Sequence, residues 1–122
     1  MTIVCVDDQP VMLRGLTKSI RQLSPNAEIK TFGSAEEALA YVQQNGCDIL
    51  IPEIELCGMD GLTLAKQVKR INPKVNIIFL TVCDEKEHAR EVFRLKPSGY
   101  LVKPANPEQL AVELTNLRYY AS

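Results

Sequence analysis

The regular alternation of short apolar segments with amphipathic segments constrains the fold of this chain most. Strands are predicted at 2–6, 29–32, 48–51, 75–81 and 99–102, because the segments are short and either largely apolar or, at 29–32, alternate between apolar and polar residues. Helices are predicted between and after them at 10–23, 34–42, 61–71, 85–95 and 107–117. Strands that alternate with helices favour right-handed βαβ units and a parallel sheet covered on both faces.

The pattern of apolar and polar residues within the strands predicts their order in the sheet. The first, third and fourth strands are continuously apolar and belong in the middle, whereas the second alternates and the fifth is short, as at an edge. The predicted fold class is therefore α/β, a doubly wound five-stranded parallel sheet in the order 2-1-3-4-5. On the fourth helix we expect Ala89, Val92 and Phe93 to face inward.

Helix boundaries carry separate signals. Ser34 and Glu37 have the spacing of a capping box at the start of the second helix. Asp60 is placed to cap the third helix, and this role explains the residue better than metal binding does. Asn106 caps the last helix, and Pro107 occupies its first turn.

Bulk composition limits the possible functions. The chain has 122 residues and a formal net charge of -1, so we expect one domain over 1–122 without affinity for nucleic acid or membranes. The amino terminus has no signal-peptide pattern, and the four cysteines have no CxxC spacing, which favours a cytoplasmic protein with reduced thiols. Cys57 and Cys83 lie on loops at one predicted edge, where a redox switch is the alternative to free thiols.

Charged and hydroxyl side chains follow the predicted strands at one edge of the sheet. Asp7 and Asp8 follow the first strand, Glu53 the third and Lys103 the fifth, while Thr81 ends the fourth. Carboxyl ends of parallel strands meet at one edge, where ligands bind in sheets of this order. Carboxylate oxygens suit Mg²⁺, and an ammonium with a hydroxyl suits a phosphoryl group. The sequence therefore predicts a site for phosphoryl transfer.

Four short motifs at these strand ends identify a family. They are 6–8 (VDD), 58–61 (GMDG), 79–81 (FLT) and 99–104 (GYLVKP). In this order and at these strand ends they resemble the receiver domain of bacterial two-component response regulators, over almost the whole chain. The resemblance implies a flavodoxin-like receiver fold. Any effector domain, which could bind DNA, would lie outside this chain.

The resemblance implies a weak, acidic Mg²⁺ site. Asp7 and Asp8 would form the acidic pocket, with Asp8 as the nearer metal ligand. Glu53 would add a carboxylate, and Glu55 would offer its backbone carbonyl.

The resemblance also implies roles on the phosphoryl side. Thr81 and Lys103 would contact the phosphoryl group, and rotation of Tyr100 together with Thr81 would accompany switching. The bond from Lys103 to Pro104 is often cis in the family. The implied partner is a sensor histidine kinase or another signalling protein, and the face formed by helix 4, strand 5 and helix 5 would serve output or homodimer formation.

The sequence departs from the family at the residue that would carry the phosphate. The family has aspartate there, and this chain has Glu53, whose extra methylene moves the carboxylate about 1.5 Å outward. A misplacement of about 1 Å can cost on the order of 10²-fold in rate. Nearby, Pro52 removes a donor in a central strand, Cys57 replaces a usual proline, and Val82 replaces a small residue.

Three interpretations of Glu53 remain open. In order of preference, the domain signals through contacts with slow or no phosphorylation, the carboxylate partly mimics a phosphoryl group, or Glu53 is phosphorylated normally. The principal alternative to a phosphorylated receiver is thus a pseudo-receiver interaction module. Flavodoxin and haloacid-dehalogenase phosphatase activities are disfavoured because 7–10 (DDQP) lacks their phosphate loop and DxD motif. An enzyme acting on a separate substrate is not expected.

Overall fold

The computed structural model describes residues 1–82 and 88–119. In these residues five parallel strands form one sheet in the order β2-β1-β3-β4-β5, which confirms the predicted α/β fold class. The elements in chain order are β1 (Thr2–Val6), α1 (Pro10–Leu23), β2 (Glu28–Phe32), α2 (Ala35–Asn45), β3 (Ile49–Pro52), α3 (Gly61–Ile71), β4 (Asn76–Thr81), α4 (Ala89–Arg94), β5 (Gly99–Val102) and α5 (Pro107–Thr115).

The sheet is covered on both faces, as its buried central strands require. Every residue of β3 and β4 is buried, whereas β2 at the edge has only exposed and half-buried positions. Alternate residues of β4 point to opposite faces, so Phe79 packs in one apolar cluster with residues of α2 and α3. Ile78 packs in a second cluster with residues of α1 and α5. The carboxyl ends of the strands are left open between these two layers.

Pro52 ends β3 at a position where it breaks the ladder on one side only. The Glu53 N–H donates to the Val6 carbonyl at 2.9 Å, so the donor missing at Pro52 faces β4. The registered pairing of β3 with β4 stops at Leu50 and Ile77, before Pro52. The β3–β4 ladder therefore ends just before the functional residues at the carboxyl end of these strands.

Side chains cap three helices as the sequence predicts. Ser34 accepts a hydrogen bond from the Glu37 N–H at 3.2 Å, and Asp60 accepts one from the α3 backbone at 2.7 Å. At α5, Asn106 and Gln109 each accept a hydrogen bond from the other's backbone, which completes a capping box. These caps confirm where α2, α3 and α5 begin.

The prediction for the inner face of α4 was wrong at two of three positions. Val92 is buried, but Ala89 is exposed and Phe93 is 81% exposed. The buried stripe runs through Val92 and Leu95, and Phe93 is rotated about 100° from Val92 around the helix axis. The predicted start of this helix at 85–87 lies outside the described residues. At the other end of the chain, α5 ends at Thr115 rather than at 117.

Within the described ranges, the helices are too short and too polar for a membrane span.

Candidate functional site

Four of the predicted site residues meet at the carboxyl edge of the sheet. Asp7 follows β1, Glu53 follows β3, Thr81 ends β4 and Lys103 follows β5. The first three are almost inaccessible to solvent, with exposed fractions of 5% for Asp7, 4% for Glu53 and 0% for Thr81. Buried carboxylates need a compensating charge, so the partner that balances them decides the chemistry of the site.

Lys103 supplies that charge to both buried carboxylates. Its Nζ lies 2.5 Å from Asp7 Oδ2 and 2.9 Å from Glu53 Oε1. Lys103 itself is nearly buried, because 9% of its side chain is exposed. The bond from Lys103 to Pro104 is cis, as the family resemblance led us to expect. One ammonium thus links the ends of β1, β3 and β5.

The Glu53 carboxylate bends back and is surrounded by donors. Oε2 accepts a hydrogen bond from the Ile54 N–H at 2.7 Å, and Oε1 accepts one from the Val82 N–H at 3.2 Å. The Thr81 side chain is a further hydrogen-bond partner of the same carboxylate. Sequence patterns gave no sign of the two backbone donors, because a backbone N–H has no residue signature. Both oxygens therefore already have partners within the chain.

These contacts shift two ionisation equilibria in the direction that keeps both charges. Burial raises the pKa of the Glu53 carboxyl, but the hydrogen bonds from Thr81 and Lys103 and the Lys103 charge outweigh it, so the pKa lies below its ordinary value. Burial lowers the pKa of Lys103, but hydrogen bonds to Asp7 and Glu53 and their charges outweigh it, so this pKa lies above its ordinary value. The ion pair is therefore the stable form at neutral pH.

The other two predicted metal ligands are exposed at the rim of this site. Asp8 and Glu55 both lie in exposed positions, while the second oxygen of Asp7 accepts the Gln9 N–H at 2.9 Å. In the residues that the structure covers, no three His, Cys, Asp or Glu side chains are arranged to hold a metal ion. In this arrangement the carboxylate oxygens of Asp7 and Glu53 fit an ammonium better than Mg²⁺, and we assign no step to a metal.

A glycine at the start of α3 sets the position of Glu53. The Gly61 N–H donates to the Ile54 carbonyl at 2.8 Å, and a Cβ at Gly61 would lie 1.8 Å from the Glu53 carbonyl oxygen. Only a residue without a side chain allows this approach. The sequence indicated Gly61 as part of a motif and as a helix start, but not as the support of the residue after β3.

Tyr100, the predicted switch residue, packs near the site on β5. It is half-buried and lies opposite Phe79 in the β4–β5 pairing, with ring centroids 5.9 Å apart. Its rotation during signalling stays a prediction. Of the two cysteines considered for a redox switch, Cys57 is an exposed free thiol and Cys83 lies outside the described residues.

A family model and two curated relatives show which family this chain resembles. The family model of the response regulator receiver domain matches residues 3–115. The positive alginate biosynthesis regulatory protein of Pseudomonas aeruginosa is 34% identical over 115 residues, covering 93% of this chain and 46% of that protein. The transcriptional regulatory protein YpdB of Escherichia coli K12 is 28% identical and covers 96% and 47%. The chain thus spans about half the length of these two relatives.

Comparison with solved structures gives the same family. The chemotaxis protein CheY4 of Vibrio cholerae has a TM-score of 0.82 and 27% identity, covering 93% of this chain and 95% of that one. A CheY-like receiver domain protein of Methanospirillum hungatei has a TM-score of 0.86 at 22% identity, covering 93% and 90%, and shares the fold. With its five-stranded order and its family match, this chain belongs to the response regulator receiver domains of two-component systems.

Proposed function

We propose that this receiver domain carries Glu53 at the phosphoacceptor position and that its phosphorylation is slow or absent. One observation supports this most: the Glu53 carboxylate already takes the hydrogen bonds of Thr81, Lys103 and Val82. By resemblance, Thr81 and Lys103 are the groups that would stabilise a transferred phosphoryl group. A nucleophile held by these donors at 4% exposure must give up contacts before it can react.

The same contacts favour the pseudo-receiver alternative as a second candidate. A carboxylate beside Lys103 and Thr81 has one negative charge and two oxygens, whereas a phosphoryl group has close to two charges and three oxygens. In this alternative Glu53 is a partial and permanent substitute for the phosphoryl group. The domain would then signal through protein contacts alone.

Intact mass after incubation with acetyl phosphate and Mg²⁺ tests both proposals. We expect no stable gain of one phosphoryl group by the wild type. The Glu53 carboxylate lies one methylene further from the backbone than that of an aspartate, and it is already paired with Lys103. Glu53→Asp is expected to gain the phosphoryl group, since the shorter acid leaves space beside Thr81 and Lys103. Glu53→Gln is the matched control, because it keeps the length and lacks the nucleophile.

The outcomes test both proposals against normal phosphorylation of Glu53. A stable phosphoryl adduct on wild type, absent from Glu53→Gln, would overturn the claim of slow or absent phosphorylation and the pseudo-receiver reading. Gain of the adduct by Glu53→Asp alone would locate the block at this side chain. If neither protein gains it, the block lies elsewhere in the site, and the role assigned to the extra methylene is wrong.

We propose that Mg²⁺ binding is weak, because Lys103 already balances the charge of Asp7 and Glu53. Asp7, Asp8 and Glu53, with the Glu55 backbone carbonyl, would be the ligands. A Mg²⁺ titration followed by amide chemical shifts should give only small changes near Asp7 below millimolar concentrations. Ca²⁺ serves as the control for nonspecific binding. Large saturating shifts at micromolar Mg²⁺ would contradict the proposal.

We propose the partners and the cellular role of this domain from those of its family. Receiver domains of response regulators work with histidine kinases and often precede effector domains, some of which bind DNA. Residues 1–122 would be one such cytoplasmic domain, acting on no separate substrate and touching neither DNA nor membrane itself. Exposed apolar side chains on α4, β5 and α5 support a homodimer through that face. They are Phe93, Val102 and Val112.

A further inference from the structure

The segment after α5 is bound to the opposite edge of the sheet from Glu53. Residues 117–119, here called the strap, pass from the α5 face beneath the amino-terminal edge of the sheet to α3. They meet β4 at Asn76, and β4 ends five residues later at Thr81. At 3.3 Å per residue this places the strap about 17 Å from the candidate site.

Asn76 is the centre of this contact. It is the polar residue in an otherwise apolar start to β4 and is 2% exposed. Its amide donates to the Tyr119 carbonyl at 2.6 Å, and its carbonyl accepts the Tyr119 N–H at 2.7 Å. The side chain thus pairs with both backbone groups of one residue, as a neighbouring strand would.

The remaining hydrogen-bonding capacity of Asn76 is filled within the protein. The second amide hydrogen faces the Asp48 carbonyl at 3.4 Å, and the Ser98 hydroxyl donates to the Asn76 carbonyl at 2.8 Å. Ser98 Oγ also accepts the Arg118 N–H at 3.1 Å. An asparagine offers two donors and two acceptor positions, and the strap takes half of them. Without the strap, this buried amide would lose two partners.

Lys69 adds a contact with the strap from α3. Its ammonium nitrogen is buried and lies 4.8 Å from the centroid of the Tyr119 ring. A cation at this distance from an aromatic face is attracted to the ring. The ring therefore stabilises a charge that is shielded from water, and the strap is held from both β4 and α3.

We propose that Asn76, Ser98 and Lys69 form a clamp that holds the strap and fixes where the polypeptide leaves the domain. The clamp places Tyr119 on the α3 side of the amino-terminal edge, away from the face of α4, β5 and α5. Any segment that follows would start from a fixed point there. This inference holds whether or not Glu53 is phosphorylated.

Limited trypsin cleavage after Arg118 tests the clamp, because that side chain is exposed while both backbone groups of Tyr119 are paired. We expect slow cleavage in the wild type under native conditions, followed by intact mass. Asn76→Ala should raise the rate about tenfold or more, because both hydrogen bonds to Tyr119 are lost. Asn72→Ala is the matched control, because Asn72 contacts Cys47 and Lys74 and not the strap.

The cleavage pattern separates release of the strap from unfolding. Global unfolding would raise cleavage at every basic residue, whereas release of the strap raises it after Arg118 alone. Lys69→Met keeps the length of the side chain and should raise the same cleavage severalfold even if Asn76→Ala does not fold. Wild-type cleavage as fast as that of a free peptide, or unchanged rates in every folded variant, would overturn the proposal.

Discussion

Gly61→Ala should lower the free energy of unfolding by about 3 kcal/mol, because the added methyl meets backbone that cannot rotate away. The new Cβ would lie 1.8 Å from the Glu53 carbonyl oxygen and 3.0 Å from the Ile54 Cα. Relief requires α3 and the end of β3 to separate, which breaks the 2.8 Å hydrogen bond from Gly61 to Ile54. Urea unfolding followed by circular dichroism measures the loss.

Gly15→Ala is the matched control for this substitution. Gly15 lies inside α1, and a Cβ built there has no heavy atom within 4 Å. Alanine in a helix interior is more favourable than glycine, so this variant should be as stable as wild type or more so. If Gly61→Ala unfolds at the same urea concentration as Gly15→Ala, the close approach does not position Glu53.

The consequence for the site should be visible in the folded fraction of the Gly61 variant. Moving the Glu53 backbone moves its carboxylate away from Lys103, now 2.9 Å distant, while the Asp7 contact of Lys103 is left in place. We expect amide shifts at Glu53 and Ile54 to exceed those at Asp7. Gly61 therefore acts on the site through the backbone, without touching any reacting group.

How much could be predicted depended on whether a contact follows from topology. Lys103 and Asp7 are 96 residues apart in sequence, yet their meeting was predictable because carboxyl ends of parallel strands share one edge. The Tyr119 contact with Asn76 spans 43 residues and was not predictable, because it depends on the path of an irregular segment after α5. Periodicity describes strands and helices, and the strap is neither.

Failures inside regular elements had a different cause. In the fourth helix the buried positions are Val92 and Leu95, but the apolar residues Val92 and Phe93 are adjacent in sequence and cannot both face inward, and Phe93 was misplaced. The donors around Glu53 were missed because Ile54 and Val82 contribute backbone N–H groups. Side-chain chemistry at strand ends is readable from sequence, whereas backbone direction there is set by the turn geometry.

Lys103→Met should lower the free energy of unfolding by about 3 kcal/mol at neutral pH, because it leaves two buried carboxylates without their cation. Loss of an exposed ion pair should cost less. The matched control is Lys66→Met, which removes an ion pair to Glu91 of similar length, 2.6 Å, with both side chains 45% exposed. Water replaces that partner, so only a small change is expected. Chemical unfolding at neutral pH compares the two.

The pH dependence gives this prediction a sign. In the wild type the pKa of Glu53 is lowered, so its stabilising contribution is present above the ordinary carboxyl pKa and is lost as the pH falls through the folded value. The pKa of Lys103 is raised, so its contribution is present below the ordinary lysine pKa and is lost as the pH rises through the folded value. Stability should therefore be flat through neutral pH and fall at both extremes.

Removing the ammonium should reverse the acid side of this profile. Burial is already the largest single effect on the pKa of the Glu53 carboxyl, and without Lys103 only the hydrogen bonds from Thr81 and the backbone oppose it, so we expect this pKa to rise above the ordinary value. Protonation then relieves a buried charge, so Lys103→Met should gain stability as the pH falls from neutral through the raised carboxyl pKa, where the wild type gains none. Adding Glu53→Gln to Lys103→Met should restore part of the loss at pH 7, because one unpaired charge is gone. A variant whose acid profile parallels that of the wild type would show that Lys103 does not balance the charge of Glu53.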